Sequence, residues 1–468
     1  MRITIEKGKW DMRSEDLLVR FAAGNTETAL EAAPVGSAAR FMLTMGLGEQ
    51  KDLTRETVRE AVGAALQEAR RLKAQRVAMA LPDVPGHTVA EVGAAVAESA
   101  LLFGYAYTTF KAATDAKKLP DSVTVIVADE RTRASVRKAV DRVIAVNDGV
   151  TLTRDLVNAP AEHVHPAELA STARAIARKS KGRITAKVPD RKECEQRGMG
   201  AYLAVAKGSE FPPQFIHLTY TPAKKSKRTV AVVGKGITFD SGGLSLKPAD
   251  AMMTMKLDMA GAAAVLGLFR VLPAIAPNVT VHGIIAACEN MPSGKAMRPG
   301  DVVRASNGKT IEILNTDAEG RLTLADALTY AVQLEPDAIV DLATLTGACA
   351  VALGEEIAGL MSNDDDLEDA LEDAADATGE KIWELPLPAR YRSLIESDVA
   401  DLRNIATSRY GGTLTAGLFL KEFVDDVPWA HLDIAGPAFA ERPMASYIGK
   451  GGTGFGVRTL VQWLSTFR

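Results

Sequence analysis

The chain is poor in cysteine, in aromatic residues and in net charge, and each shortage excludes a class of protein. Its 468 residues include three cysteines, Cys194, Cys288 and Cys349, which are odd in number and too far apart for a disulfide framework. We therefore expect a reducing, cytoplasmic location. Aromatic residues make up 5% and the formal net charge is -4. This charge balance does not indicate nucleic-acid binding.

Targeting and common catalytic signatures are also missing. The N-terminal segment MRITIEKGKWDMRSEDLL is charged and lacks the apolar region of a signal peptide. No run of about 18 apolar residues occurs, so we expect no membrane partner. The patterns H-E-x-x-H, C-x-x-C, G-x-x-x-x-G-K-[ST] and G-x-S-x-G are absent, which removes support for phosphate-loop NTPases and serine hydrolases. His163 and His165 form an isolated H-x-H motif, which lacks the third ligand that a zinc site needs.

The remaining composition is globular, and the hydrophobic pattern predicts two α/β domains. Hydrophobic residues make up 47% and charged residues 24%, which is enough for a sizeable core. Early in the chain, helical periodicity over 54–73 and 88–103 alternates with strands at 76–81 and 123–128. This alternation indicates βαβ units. We predict an N-terminal α/β domain at 1–150 and a second domain at 160–468, each a mixed, mostly parallel sheet flanked by helices.

A long helical stretch at 130–156 is expected to join the two domains, and Asn158-Ala-Pro160 ends it. In the second domain the pattern predicts a helix from about 167 and strands near 183–188, 202–206, 214–220 and 229–233. Residues 364–380 include nine acids. We interpret them as a surface helix capped by Ser362-Asn363 rather than as a Ca²⁺ or partner site, because acids suit the first turn of a helix.

Carboxylates are concentrated in three apolar segments rich in small residues. TVAVVGKGITFDSGGLSLK (229–247) is an apolar strand that runs into a loop and contains Lys235, Asp240 and Lys247. MKLDMAGAAAVLGLFRVL (255–272) places Asp258 at the start of an apolar helix. KTIEILNTDAEGRLTLADALTYAV (309–332) has a strand, a turn with Asp317, Glu319 and Arg321, and a further apolar helix.

Each of these acids has an ordinary alternative, since Asp258 and Asp317 could cap the helices that follow them. Together the four acids flank strand C-termini and helix N-termini, where open parallel sheets bind ligands. Clustered acids repel one another unless protons or cations are present. Four carboxylates match the charge of two divalent ions, and such ligands suit Mg²⁺, Mn²⁺ and catalytic Zn²⁺.

The string NTDAEGRL (315–322) resembles the signature of the M17 metallopeptidases, also called leucyl or cytosol aminopeptidases. VGKGITFDSGGLSLK and MKLDMAGAAA are similar to the other two metal-binding segments of that family, although Ala260 stands where the family usually has Gly. Segments 289–303, 341–349 and 428–436 also fit. The resemblance covers most of residues 150–468. It implies release of N-terminal amino acids, preferentially leucine and other apolar residues, from peptides.

The resemblance also implies a role for each site residue. Asp240 and Glu319 would bridge two divalent ions per subunit, Mn²⁺ or Zn²⁺, while Asp258 and Lys235 complete the tighter site and Asp317 the exchangeable one. Lys247 would polarise the scissile carbonyl, and Arg321 would hold bicarbonate as the general base. The pocket for the first substrate side chain would include Met255, Thr344, Gly347 and Ala348. A homohexamer assembled through the N-terminal domain is implied as well.

Lysine is a surprising ligand, because only the neutral amine has a lone pair. Lowering its pKa from about 10.4 to 7 costs roughly 4.6 kcal/mol, which an adjacent dication can supply. Two other functions stay open. A two-metal phosphoesterase would share the acids, but it should have phosphate-binding Arg or His near them and would not need Lys235. A DNA-binding regulator would need a basic groove, against which the net charge argues.

Overall fold

The computed structural model describes residues 1–9, 13–24, 26–33, 37, 39–112, 119–224 and 226–467. These residues form two compact units, Met1–Asn147 with Glu441–Lys450, and Asp148–Ala440 with Gly451–Arg468. The late segment returns to the first unit through side-chain contacts. The Ser446 hydroxyl donates to the Glu60 carbonyl at 2.7 Å and the Tyr447 hydroxyl to Glu56 at 2.7 Å. No local pattern in the sequence indicates these long-range contacts.

The first unit is built on a six-stranded sheet of order β1-β6-β5-β2-β4-β3, parallel except where β3 joins β4. Its strands are β1 (Arg2–Lys7), β2 (Leu17–Ala23), β3 (Ala29–Ala32), β4 (Phe41–Gly48), β5 (Arg76–Ala80) and β6 (Ser122–Val127). Helices α1 (Arg55–Arg71) and α2 (Val89–Phe103) begin with capping boxes at Thr54 and Thr88, which satisfy the first free N–H groups of each helix.

The long helix is present as α3 (Glu130–Asn158) and contains the boundary between the units at Asn147. The predicted fold class is therefore confirmed: two α/β units, each a mixed sheet with helices, with a long helix continuing from one into the other. The chain of the second unit then begins with α4 (Pro166–Lys179), whose first position holds the proline that a helix start tolerates.

The second unit contains an eight-stranded mixed sheet of order β15-β14-β17-β13-β9-β10-β8-β7. Its strands are β7 (Ile184–Lys187), β8 (Gln214–Tyr220), β9 (Thr229–Asp240), β10 (Thr280–Asn290), β13 (Ala338–Ala343), β14 (Ala358–Ser362), β15 (Ile382–Glu384) and β17 (Trp429–Asp433). Smaller sheets are formed by β11 (Val302–Arg304), β12 (Thr310–Glu312) and β16 (Leu402–Arg403), and by β18 (Phe439–Ala440) and β19 (Gly451–Gly452). Strands β17, β13, β9 and β10 are mutually parallel.

Nine further helices lie in the described part of this unit. They are α5 (Arg191–Gln196), α6 (Gly200–Val205), α7 (Ala249–Met252), α8 (Ala260–Ile275), α9 (Gly320–Val332), α10 (Gly347–Leu353), α11 (Asp365–Thr378), α12 (Gly412–Lys421) and α13 (Val457–Leu464). Three short 3₁₀ helices lie at Ala206–Gly208, Met255–Met259 and Ala389–Ile395, and another lies in the first unit at Gln50–Asp52. The stretch Ala249–Ile275 is long and apolar enough to cross a membrane, but 78% of its most apolar window is buried inside the protein.

Two local predictions were wrong. Residues 202–206 were expected as a strand, but α6 occupies this position, because a short buried apolar run has the same pattern in either element. The Asp326 carboxylate accepts the Tyr202 N–H at 2.8 Å and so holds the first turn of this helix. The acidic helix α11 is capped by Asp364, whose side chain accepts the Leu367 N–H at 2.8 Å, and not by Ser362-Asn363.

Helix α8 packs closely on the centre of the large sheet because the contact residues lack side chains. A Cβ on Gly234 of β9 would lie 2.5 Å from the Gly261 carbonyl oxygen, and a Cβ on Gly261 would lie 2.0 Å from the Leu342 carbonyl oxygen. Both distances are too short for carbon against oxygen. The start of α8 is thereby held against β9 and β13, at the end of the sheet where the acidic segments lie.

Candidate metal centre

Strand β9 supplies the first part of the site. Lys235 and Asp240 are both buried on this strand, and Asp240 is its last residue. The next two glycines, Gly242 and Gly243, have φ of +85° and +63°, which residues with a Cβ adopt at a cost. They turn the chain so that Lys247 N–H donates to the Ser241 carbonyl at 2.9 Å. This turn places Lys247 next to the carboxyl end of β9.

Asp258 comes from the 3₁₀ turn before α8 and does not cap that helix. The N-cap position is Met259, without a side-chain cap hydrogen bond. Asp258 Oδ1 instead accepts from Lys235 Nζ at 2.7 Å and from the Thr344 hydroxyl at 2.8 Å. The capping alternative is therefore wrong for Asp258. The residue at the N-cap of α9 is Glu319, also without a side-chain cap hydrogen bond.

The structure brings all five predicted ligands and Lys247 into one connected cluster. Carboxylate oxygens of Asp240, Asp317 and Glu319 lie within 4.8 Å of one another. Lys235 Nζ lies 2.7 Å from Asp258 and 3.1 Å from Glu319. Lys247 Nζ lies 3.0 Å from Asp240 and 2.6 Å from Asp317. Four carboxylates thus surround two ammonium groups.

The charges in this cluster shift one another's pKa. Burial raises the pKa of Asp258 well above its ordinary value, against the attraction of Lys235. Burial, followed by repulsion from neighbouring acids, also raises the pKa of Asp240 and of Asp317. Burial alone would lower the pKa of Lys235, but Asp258 and Glu319 outweigh it, so that this pKa lies above its ordinary value. The cluster is therefore short of positive charge.

Two buried carboxylate oxygens show that the cluster fits a metal ion. Within the described residues, Asp258 Oδ2 and Glu319 Oε2 are buried and have no hydrogen-bond partner. A buried acceptor without a partner costs free energy, and a divalent cation supplies what such oxygens lack. Carboxylate oxygens with one amine nitrogen form a donor set that suits Mn²⁺ or Zn²⁺. The residues present fit a metal centre.

Two asparagines that the sequence prediction missed form hydrogen bonds with Asp240 and with the backbone next to Asp317. The Asn290 side-chain amide donates to Asp240 Oδ1 and to the Thr316 carbonyl, both at 2.9 Å. Asn404 Oδ1 accepts the Leu314 N–H at 2.8 Å and Asn404 Nδ2 donates to the Asn315 carbonyl at 2.6 Å. Asn290 lies inside a segment that resembles the family, which could have drawn attention to it. Asn404 lies in no such segment.

Arg321 is close in sequence to the cluster but has no carboxylate partner in the described chain. Its Nη1 donates to the Asn404 carbonyl at 2.8 Å, and its buried Nε has no hydrogen-bond partner. Burial lowers the pKa of Arg321 to about 10. A buried guanidinium with free donors can bind a planar anion through two parallel hydrogen bonds.

The four residues predicted for the substrate pocket lie on two segments next to Asp258. Met255 is half-buried in the same 3₁₀ turn. Thr344 follows β13, and its carbonyl accepts from Lys235 Nζ at 2.9 Å. Gly347 and Ala348 begin α10, and nothing lies within 4 Å of the Cβ position of Gly347. The Thr344 hydroxyl, which donates to Asp258 at 2.8 Å, joins the two segments.

Both parts of the chain match models of one family. Residues 151–461 match "Cytosol aminopeptidase family, catalytic domain", and residues 20–114 match "Cytosol aminopeptidase family, N-terminal domain". The probable cytosol aminopeptidase of Thermosynechococcus vestitus is 50% identical over 427 residues, 90% of this chain and 84% of that protein. A relative from Synechococcus sp. (strain JA-2-3B'a(2-13)) with the same description is 47% identical over 98% of this chain and 91% of its own length.

Solved structures agree with these sequence matches. A mutant of tomato leucine aminopeptidase superposes with a TM-score of 0.88 at 37% identity, over all of this chain and 96% of its own. The bottromycin maturation enzyme BotP in complex with Mn has a TM-score of 0.87 at 36% identity, over 97% of this chain and 99% of its own. The matches and the acidic centre lead to the same conclusion: the chain belongs to the cytosol aminopeptidase family and is a metallo-aminopeptidase.

Proposed function

We propose that this aminopeptidase uses two divalent metal ions to release N-terminal leucine and other apolar residues from peptides in the cytoplasm. The observation that carries the proposal is the buried cluster of four carboxylates, in which Asp258 Oδ2 and Glu319 Oε2 have no hydrogen-bond partner within the described chain. A peptidase family also disfavours the phosphoesterase alternative.

Asp240 and Glu319 would hold both ions, as the resemblance to the family implies, and their carboxylate oxygens lie within 4.8 Å of each other and of Asp317. Lys235 and Asp258 would complete one site, and Asp317 the other, more exposed one. Side-chain exposure supports this order, at 4% and 5% for the first pair and 30% for Asp317. When bound, the ions would activate water and polarise the scissile carbonyl. We propose Mn²⁺ or Zn²⁺, and the Mn complex of the similar BotP structure supports Mn²⁺.

Two side chains of this protein would act on the reacting groups. Lys247 has two acid partners. Cations bound to those acids would leave its ammonium available to stabilise negative charge on the substrate carbonyl oxygen. Arg321 would hold bicarbonate through its free donors, and the bicarbonate would accept a proton from water as general base. Among the described residues, the cluster consists of aspartate, glutamate and lysine side chains, which is consistent with a base taken from solution.

The preference for leucine would arise in the pocket formed by Met255, Thr344, Gly347 and Ala348. Methionine is flexible and apolar, so it adapts to unbranched and γ-branched side chains. Leucine exceeds alanine by three carbons, worth about 2.4 kcal/mol at roughly 0.8 kcal/mol each. This corresponds to about 60-fold in kcat/KM. Acidic first residues should be poor substrates, because these four residues offer no cation to offset desolvation.

A panel of aminoacyl amides, assayed after chelation and after return of Mn²⁺ or Zn²⁺, tests the proposal. We expect no activity in the chelated protein, recovery with either metal, and a higher kcat/KM for leucinamide than for alaninamide. Full activity in a verified metal-free preparation would contradict the two-metal mechanism. Equal kcat/KM for the two amides, or a preference for aspartyl amide, would contradict the pocket.

We propose that residues 1–150 assemble and regulate the enzyme, that residues 160–468 carry catalysis, and that the protein is a homohexamer. The separate match of the N-terminal domain supports a distinct role for it. Light scattering behind size-exclusion chromatography measures the mass directly. Six times the chain mass of 49.7 kDa is expected, and a monomer at micromolar concentration would contradict the assembly.

A further inference from the structure

Asp433, the last residue of β17, is fully buried and accepts four hydrogen bonds. Its Oδ1 accepts the N–H groups of Leu345 at 3.1 Å, Thr346 at 3.4 Å and Ala435 at 3.2 Å. Its Oδ2 accepts the Thr346 hydroxyl at 2.7 Å. Three of these four donors belong to the two residues Leu345 and Thr346. One carboxylate therefore fixes the chain just after β13.

On its N-terminal side, the fixed segment adjoins the metal centre. Thr344 directly precedes it, accepts from Lys235 Nζ through its carbonyl at 2.9 Å and donates through its hydroxyl to Asp258 at 2.8 Å. The position of Thr344 thus sets where the Lys235 amine and the Asp258 carboxylate lie. Asp433 controls that position through Leu345, without touching either ligand itself.

On its C-terminal side, the same segment begins α10. Thr346 is the N-cap of this helix, and its hydroxyl accepts the Cys349 N–H at 3.1 Å. Gly347 and Ala348, the next two residues, belong to the proposed pocket. A shift of Thr346 would therefore move the pocket wall and the metal centre together.

We propose that Asp433 is a positioning residue that couples the geometry of the Lys235–Asp258 metal site to that of the substrate pocket. This inference rests on the proposed function. Asp433 Oδ1 accepts three N–H groups and Oδ2 accepts the Thr346 hydroxyl, so both oxygens bind the segment after β13. An amide at this position is uncharged and replaces one acceptor by a donor, so the charge-assisted bonds that hold Leu345 and Thr346 cannot all be kept.

Asp326 offers a matched control. It is also fully buried and also accepts backbone N–H groups, from Tyr202 at 2.8 Å and from Ser306 at 2.7 Å. These contacts join α9 to α6 and to the loop after β11, and they include no predicted ligand or pocket residue. Asp326→Asn should therefore cost stability in the same way as Asp433→Asn, without altering the site.

The experiment compares Asp433→Asn, Asp326→Asn and wild type in two measurements. One is the kcat/KM ratio of leucinamide to alaninamide, and the other is the Mn²⁺ affinity of the whole chain by calorimetric titration. Substitution of residues that position a metal ligand lowers metal affinity about 10- to 100-fold. We expect a loss of this size for Asp433→Asn, with at least a roughly threefold fall in the ratio. Asp326→Asn should change neither.

Two substitutions at Thr346 decide the matter if Asp433→Asn does not fold. Thr346→Val removes both the 2.7 Å bond to Asp433 and the cap of α10, and it should lower the Mn²⁺ affinity as well as the ratio. Thr346→Ser keeps the hydroxyl and should retain both. An unchanged ratio and Mn²⁺ affinity in folded Asp433→Asn, or in Thr346→Val, would overturn the inference, as would equal losses in Asp326→Asn. An inactive wild type would instead refute the proposed function, and the Mn²⁺ titration would still test the positioning role.

Discussion

Gly320→Ala should lower activity about 100-fold without destabilising the fold. Gly320 is the first residue of α9 and lies beside the Lys235 side chain. A Cβ at this position would lie 2.4 Å from Lys235 Cε and 2.7 Å from Lys235 Nζ. Its φ is not in the left-handed region, so alanine fits the backbone. The three atoms nearest to this Cβ position all belong to the Lys235 side chain.

The size of the effect follows from this contact. Carbon atoms in contact prefer about 3.5–4.0 Å, so the lysine must move by more than about 1 Å. Its amine is held by Asp258 and by the Thr344 carbonyl, and a metal–ligand distance tolerates only about 0.2 Å. A misplacement of about 1 Å costs about 100-fold in rate. Alanine in place of glycine should meanwhile stabilise a helix by up to about 1 kcal/mol.

The assay measures three quantities on one preparation: the melting temperature, metal ions per chain by elemental analysis, and kcat/KM with leucinamide. Gly294→Ala is the control, because nothing lies within 4 Å of its Cβ position and its φ is ordinary. We expect Gly320→Ala to melt at or above the wild-type temperature, to lose one metal per chain and to lose about 100-fold in kcat/KM. Two metals per chain with near-normal turnover would refute the role of Lys235.

Three other predictions concern the remaining groups. Glu319→Ala and Asp240→Ala should lower metal content and kcat together and more than other ligand changes, because each removes a bridge; two metals per subunit with normal kcat in either variant would refute the assignment. Arg321→Ala should lower kcat about 100-fold at unchanged metal content. Bicarbonate should raise wild-type activity in degassed buffer. If Arg321→Ala loses metal but keeps its turnover per bound metal, the role of Arg321 is structural. Burial, then His282, lowers the pKa of His217 to about 4. The unfolded chain therefore binds a proton that the folded chain does not, and stability should fall by at most about 3 kcal/mol as pH falls from about 6.5 to 4. His217→Gln should flatten this dependence in thermal melts, and an unchanged slope would contradict it.

Local patterns in the sequence predicted most of the fold but not its irregular parts. Periodicity predicted α1 and α2, because each helix buries one apolar stripe, and the structure adds a threonine cap to each. Periodicity failed at α6, where every residue from Ala201 to Val205 is buried. A segment surrounded on all sides has no polar face to reveal its period. Which segments return to a unit, as Glu441–Lys450 does, depends on contacts that no local pattern contains.

The candidate site was predictable to a different degree. The acids were recognisable in three short segments, and their roles as ligands were implied by the resemblance of those segments to the family. Only Asp240 ends a strand of the large sheet, whereas Asp258 lies in a 3₁₀ turn and Asp317 and Glu319 follow β12 of a small sheet. The roles of the supporting residues were not recognisable. Asn404 and Asp433 each lie about 90 residues after the backbone N–H groups that they bind, which belong to Leu314 and Leu345. An asparagine or aspartate in that role has the same local pattern as an ordinary turn residue.

Small residues specify this centre as firmly as the ligands do. Gly261 lets α8 reach the Leu342 carbonyl, Gly320 leaves room for Lys235, and Gly242 turns the chain from Asp240 towards Lys247, with its Cβ position 2.8 Å from Asp317 Oδ1. A chain with every ligand but a side chain at one of these positions could not bring the same atoms together. The pattern of acids therefore indicates a metal centre only together with the glycines that lie between them. This explains why a lone Asp or Glu in another strand-to-helix turn indicates a cap, whereas these four indicate a metal centre.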